Sequence, residues 1–512
     1  DLAGAKFVEA TVRSSMVSLN ANSADFSSAD LTGVDFSSAN LDDAGFEYAD
    51  ADDANFNYAS LISADFFDAD LDGANFSGAD LQSADFSNAS LIGADLSYLS
   101  SDNNSYMSID FANAQMMSAD LSGSKFGYGT SFSSADLSDA KLVNSGIMTS
   151  MSNLVADGAD FSGSWFEMTS FSNSSLVSAN FDNTEYYMGS GYFKGATLTD
   201  ASFASADFYG YANFEGASAE RADFSSADLG GEYGQAHFAS ADLDGANFSG
   251  ADLQSADFSN ASLIGADLSY LSSDNNSYMS IDFANAQMMS ADLSGSKFGY
   301  GTSFSSADLS DAKLVNSGIM TSMSNLVADG ADFSGSWFEM TSFSNSSLVS
   351  ANFDNTEYYM GSGYFKGATL TDASFASADF YGYANFEGAS AERADFSSAD
   401  LGGEYGQAHF ASADLDGANF SGADLQSADF SNASLIGADL TGVDLSLVSS
   451  FNQAVMTDAL IDPGQEQYLS AGQQLQVKLD LPLALGVDDA IVLEDESYIN
   501  QINVLEDVTK IE

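Results

Sequence analysis

The chain has 512 residues, 45% hydrophobic and 12% aromatic, with 75 acids against twelve Lys and Arg for a net charge of −63. That apolar content is too high for a disordered chain, and that charge excludes nucleic acid and anionic membrane as direct partners, leaving cations, basic proteins or salty water. Cysteine is absent, which excludes disulfides, thiolate metal sites and a cysteine nucleophile, and no run of apolar residues is long enough to span a membrane.

The sequence opens Asp1-Leu2-Ala3-Gly4-Ala5, with no basic-then-apolar leader and already inside a repeat, as expected of a processed protein or a segment of a longer one. From Phe26 to Leu96 a large apolar residue recurs at every fifth position: Phe26, Leu31, Phe36, Leu41, Phe46, then Ala51, then Phe56, Leu61, Phe66, Leu71, Phe76, Leu81, Phe86, Leu91 and Leu96. Two residues before it stands a small residue, as at Ala24, Ala39, Ala54, Ala64 and Ala74. Immediately before it stands Asp or Asn, as at Asp25, Asp35, Asn40, Asn55, Asp65 and Asp70. The unit is A-(D/N)-(L/F)-x-x.

A period of five fits neither a helix nor a strand, but it fits a chain that turns a corner every five residues. The large residue and the Ala two before it then face inward. Four sides close a coil of about twenty residues, each hydrogen-bonded to the next at about 4.8 Å. These motifs resemble the pentapeptide-repeat family, from residue 1 to about 450. The resemblance implies an all-β, right-handed quadrilateral parallel β-helix of about 22 coils, with a small C-terminal β-rich cap or docking segment.

A larger repeat lies on top. After N-terminal coils over 1–70, residues 71–242 recur unchanged as 243–414, and a partial third copy fills 415–450. Each cassette breaks the rhythm at fixed places: Ser97–Ile109, Phe126–Phe132, Met148–Leu154, Tyr186–Phe193 and Gly230–His237. The breaks predict loops or bulges at a corner. They carry the candidate interaction residues Tyr98, Asp102, Tyr106, Tyr186, Tyr187, Tyr192, Tyr209, Tyr211, Tyr233 and His237. These predict a lateral contact patch for self-association or a ligand, repeated once per cassette. The tail, 451–512, loses the rhythm. Pro463-Gly464 reads as a turn, and Leu475–Leu481, Ala490–Leu493 and Tyr498–Val504 read as short strands of a cap or docking region.

No catalytic constellation is legible, so the chain is read as non-enzymatic. His237 and His409 are one site in two copies, and no phosphate-binding loop, nucleophile elbow or dinucleotide fingerprint occurs in context. No cofactor is expected, except Ca²⁺ held diffusely or at surface carboxylates. The candidate metal ligands are an acidic ladder of Asp25, Asp35, Asp65, Asp70, Asp80, Asp85 and Asp95, since stacked coils would bring successive carboxylates within reach of one hard cation.

The leading expectation is a structural or interaction rod: a segment of an extracellular or envelope-associated bacterial fibre, layer or adhesin, meeting itself or a cell-surface protein. The family resemblance implies an alternative, since some members mimic duplex DNA and bind gyrase or topoisomerase, which would make the chain cytoplasmic. A third reading is a carbohydrate-binding surface protein using the Tyr-rich loops.

Overall fold

The structure, a computed structural model, describes residues 1–99, 106–187, 189, 191–230, 235–271, 278–359, 361, 363–402 and 407–480. Its architecture follows from where one pentapeptide sends its five backbone N–H groups. In Asp25–Ala29, the Asp25 N–H donates to the Ala5 carbonyl of the preceding coil at 2.8 Å. The Phe26 and Ser28 N–H groups donate forward to Gly45 and Glu47 at 2.7 and 2.8 Å. The Ala29 N–H closes a turn on the Phe26 carbonyl at 3.0 Å, with Ser28 left-handed at φ 56°, the pattern of a type II turn. One N–H remains, that of Ser27. The Asp25 carboxylate accepts it at 3.2 Å.

Repeating this unit builds four parallel ladders. One climbs Lys6, Asp25, Gly45, Asp65, Asp85 and Asp110; a second Thr11, Asp30, Asp50, Asp70 and Ser90; a third Asp35, Asn55, Asn75, Asp95 and Asp120; a fourth Asn20, Asn40, Ser60 and Asp80. The fold is therefore the expected four-sided parallel β-solenoid. Its coils are not uniform: on the third ladder the step is 20 residues from Asp35 to Asn55, 25 from Asp95 to Asp120 and 19 from Lys141 to Asp160. The breaks lengthen the average coil, so residues 1–450 hold slightly fewer turns than a uniform twenty-residue coil would.

The core is one column of side chains. Rings in successive coils stack nearly parallel, Phe26 on Phe46 at 5.0 Å and Phe46 on Phe66 at 4.6 Å. Across the column Phe36 meets Phe46 edge-on at 6.0 Å, so each ring gains an offset stack and a T-shaped contact. The alanines two positions before are buried as well, leaving room at the corners.

Most rungs are single bridges, but one face of each cassette widens into two-residue strands. In the first copy β1 (Lys125–Phe126), β2 (Gly146–Ile147), β3 (Trp165–Phe166), β4 (Glu185–Tyr186) and β5 (Asp207–Phe208) form a five-stranded parallel sheet. In the second, β6 (Lys297–Phe298), β7 (Gly318–Ile319), β8 (Trp337–Phe338), β9 (Glu357–Tyr358) and β10 (Asp379–Phe380) repeat it. Among the described residues two further pairs form, β11 (Ala384–Asn385) with β12 (Ala408–His409), and β13 (Leu460–Ile461) with β14 (Lys478–Leu479).

At the C-terminal end the coil runs past the expected boundary at 451, since Ser434 bridges Val455 and Asp439 bridges Leu460. The rhythm looked lost because Val455 and Leu460 stand where Asp or Asn usually does. The expected strand over Leu475–Leu481 is shorter: α1 (Ala471–Gln474) precedes it and only β14 pairs. Glutamine side chains then take the places of backbone groups in the ladder. Gln465 and Gln476 accept the Leu445 and Met456 N–H groups at 3.0 and 2.9 Å, and Gln473 donates to the Phe451 and Ala454 carbonyls at 2.7 and 3.1 Å. The expected strands at Ala490–Leu493 and Tyr498–Val504 lie outside the described residues. No helix among the described residues is long and apolar enough to cross a membrane.

Candidate functional site

The rhythm breaks cluster at one corner, between the face of β1–β5 and the next. In a regular coil that corner runs five residues, from Asp80 to Asp85, but it takes seven from Glu185 to Tyr192, six from Asp207 to Asn213 and nine from Asp228 to His237. Extra residues fall between rungs, so the ladders keep register while the corner swells. The break at Ser97–Ile109 belongs to the preceding corner, after Asp95. Asp102 and Tyr233 lie outside the described residues.

Register decides which aromatic side chains reach the surface. Tyr187 and Tyr209 are exposed and stack on each other at 5.2 Å. Tyr192, Tyr211 and His237 form a second cluster of tilted rings, with centroids 6.1 and 4.7 Å apart, and His237 Nδ1 lies 3.7 Å from Asp257. Tyr98 stands apart at its own corner, 68% exposed, its ring lying over Gly123 of the next coil. Tyr186 corrects the sequence reading. It is 1% exposed, stacked between Phe166 at 4.9 Å and Phe208 at 4.1 Å, because it occupies the inward position of β4 while its neighbour Tyr187 turns out.

Sequence reasoning missed the residues that give this face its shape. Two outward columns run up it: Gly146, Trp165, Glu185 and Asp207 in one, and Glu167, Tyr187 and Tyr209 in the other. Trp165 lies back over Gly146, where a Cβ would collide with the indole, and meets Tyr106 nearly perpendicular at 5.6 Å. On its other side the indole meets Tyr187 at 6.3 Å, nearly perpendicular. Trp165, Glu167, Glu185 and Tyr187 line an open cleft of about 320 Å³. The Tyr187 hydroxyl donates to Glu185, and that bond pushes the phenol up to about 12, so Tyr187 stays protonated. Burial raises the Tyr106 hydroxyl, with Glu167 adding to it. The available signal was Trp165 itself, the one tryptophan of each cassette, standing where the unit usually has Asp or Asn.

The seven aspartates proposed as one acidic ladder are spread over all four faces. Asp25, Asp65 and Asp85 share one, with Gly45 between the first two; Asp35 and Asp95 share another across Asn55 and Asn75; Asp70 and Asp80 occupy the remaining two. Six of them accept the N–H two residues on, at 3.2 Å for Asp25, 3.0 Å for Asp35 and Asp65, 3.1 Å for Asp80, 2.8 Å for Asp85 and 2.9 Å for Asp95. Asp70 instead lies against Asp52. Burial first, then Asp70, Asp50 and Asp72, push Asp52 up to about 6. Among the described residues no group of three or more His, Asp or Glu is placed to hold one metal ion.

Family models for pentapeptide repeats match residues 157–185, 235–269, 329–357 and 407–446, and a pentapeptide repeat region model matches 19–96. Neither indicates an enzyme. No curated protein matches the chain. Among solved structures it is similar to HetL, a pentapeptide repeat protein involved in heterocyst differentiation regulation from the cyanobacterium Nostoc sp. strain PCC 7120, at 22% identity over 58% of this chain and 90% of that one, TM-score 0.10. It is similar to a pentapeptide repeat protein of the Arabidopsis thaliana thylakoid lumen, at 27% identity over 26% and 70%, TM-score 0.09. It is also similar to QnrB1, a plasmid-mediated fluoroquinolone resistance protein, at 17% identity over 44% and 86%, TM-score 0.14.

Proposed function

The chain belongs to the pentapeptide-repeat family, and on that premise we propose that it is a structural and interaction rod without enzymatic activity, presenting one lateral edge more than once. The observation that carries this reading is the duplication of the swollen corner. From Asp160 to its copy Asp332 the third ladder takes eight steps, through Asn180, Ser202, Asp223, Asn247, Asp267, Asp292 and Lys313. At about 4.8 Å a step the second edge sits roughly 38 Å above the first, on the same face. Copying a catalytic site along a rod adds little to a reaction. Copying a contact multiplies affinity whenever the partner can engage both.

We assign the rod to the bacterial cell surface or beyond, as part of a fibre, layer or adhesin that meets itself or a cell-surface protein, with Ca²⁺ held loosely among its carboxylates. Negative-stain electron microscopy with and without millimolar Ca²⁺ tests this. Filaments or sheets that dissolve on chelation support it. Discrete rods about 100 Å long in both conditions refute assembly.

One observation favours a second reading, a DNA-mimicking binder of gyrase or topoisomerase in the cytoplasm. Without the tail the chain carries 63 acids and ten bases, about one net charge per 2 Å of rod against one per 1.7 Å of duplex. Competition with DNA for gyrase at low salt is its test.

A further inference from the structure

We propose that the clefts at Trp165 and Trp337 each bind one cationic side chain, a lysine ammonium or arginine guanidinium, from a basic segment of a partner protein. The proposal deepens the reading of the chain as an interaction rod and rests on it.

The four lining residues form a two-by-two board across adjacent coils. Trp165 pairs with Glu185 in one column, and Glu167 with Tyr187 in the other. Rings therefore occupy one diagonal and carboxylates the other. A cation entering the cleft meets an indole, a phenol ring and two negative charges at once, which is the combination that binds alkylammonium and guanidinium groups. A neutral ligand would leave both carboxylates without a counter-charge.

The floor is built for this arrangement. Gly146, without a side chain, lets the indole lie down, and Gly127, against the Tyr106 Cβ, lets Tyr106 climb to meet it. The second copy repeats each part: Gly318 beneath Trp337, Tyr278 and Tyr359 nearly perpendicular to the indole at 5.9 and 6.3 Å, and Glu357 accepting the Tyr359 hydroxyl.

Among the described residues no ion pair of the chain fills these clefts. Its described ion pairs go elsewhere, as in Arg13 with Asp30, Lys194 with Glu215, Arg221 with Asp200 and Lys478 with Asp458; none involves Glu167, Glu185, Glu339 or Glu357. Lys125 stands on the same face two rungs below Trp165, on the Tyr106 side. With a net charge of −63 the surrounding field draws in a basic partner and repels an acidic one.

The two tryptophans of the sequence are the two clefts, so indole fluorescence reads these sites alone. The full chain is titrated at physiological salt with acetyl-Gly-Arg-Gly-amide, its lysine counterpart and its citrulline counterpart. A saturable emission change is expected with the arginine and lysine peptides, fitted by two equal sites, and none with the uncharged citrulline. Replacing Glu167, Glu185, Glu339 and Glu357 by Gln keeps shape and weakens binding roughly tenfold or more. Trp165→Leu removes one of the two sites and leaves Trp337 to report the other.

Silent tryptophans overturn the proposal, as does an emission change that survives the four Glu→Gln changes. A neutral oligosaccharide that shifts the emission while the peptides do not overturns it in favour of sugar. Failure of the rods to assemble in the microscope counts against the assembly reading and leaves this result untouched, so the two fail separately.

Discussion

Truncating Phe56 to alanine asks whether the stacked ring column, rather than the backbone ladders alone, holds the coils together. Phe56 is fully buried, stacked on Phe36 at 5.0 Å and Phe76 at 4.8 Å, and meets Phe46 and Phe66 edge-on at 5.7 Å each. Removing the ring forfeits about 2–3 kcal/mol of burial. The four ring contacts and the unfilled cavity bring the loss to about 4–5 kcal/mol, since hydrogen-bonded coils on both sides resist collapse. Phe56→Leu costs about 1–1.5 kcal/mol, because a leucine already follows Phe76 in the same column at Leu96. Hydrogen exchange read by mass spectrometry is the assay, since each coil touches only its neighbours and the damage stays local. Amides of residues 36–76 should lose protection in Phe56→Ala while those around Phe304–Leu314 keep theirs. Equal losses in the alanine and leucine variants, or undiminished local protection in the alanine variant, would refute the argument.

The turn accounting predicts that Asp85→Asn is nearly neutral for stability whereas Asp85→Ala costs about 1 kcal/mol, because only the alanine strands the Ser87 N–H, now bonded at 2.8 Å; denaturant unfolding of both variants checks it. Asp52 carries a raised carboxyl, about 6 against an ordinary 3.8. The folded state thus holds a proton that the unfolded chain has lost between those values, so stability falls as pH rises through that window and its cost is fully present above it. Asp52→Asn should therefore raise the melting temperature at pH 7.5 and much less at pH 4, and equal gains at both would contradict the assignment. At the C-terminal end, Gln473→Ala leaves the Phe451 and Ala454 carbonyls without their donor and should cost about 1–3 kcal/mol. Exchange should speed over 451–461 before any other part of the rod, and uniform loosening along the rod would contradict a capping role.

The fold was legible because one large inward residue in five is a pattern neither helix nor strand can make, and Phe26, Leu31 and Phe36 all stand where that pattern puts them. The reason for the recurring Asp or Asn was not legible, since it depends on knowing that the turn leaves one N–H unserved. Where the unit has Ser60 instead, the Ile62 N–H is served by Asp42 of the preceding coil at 3.1 Å. Tyr186 and Tyr187 read as one surface doublet because sequence shows adjacency, while the β4 rung sends one inward and the other out. The Trp165 cleft stayed hidden for a related reason: its four residues come from two coils, and their diagonal appears only once the rungs are in register.

The charge carries the argument one step further. Asn55 and Asn75 accept the same turn N–H, at 3.2 and 2.9 Å, that aspartates accept elsewhere. The turn asks for a side-chain oxygen and is indifferent to its charge. Asp at so many of these positions is therefore not required by the turn. A field of that sign acts on cations and basic surfaces, the same chemistry to which two glutamates beside an indole are complementary.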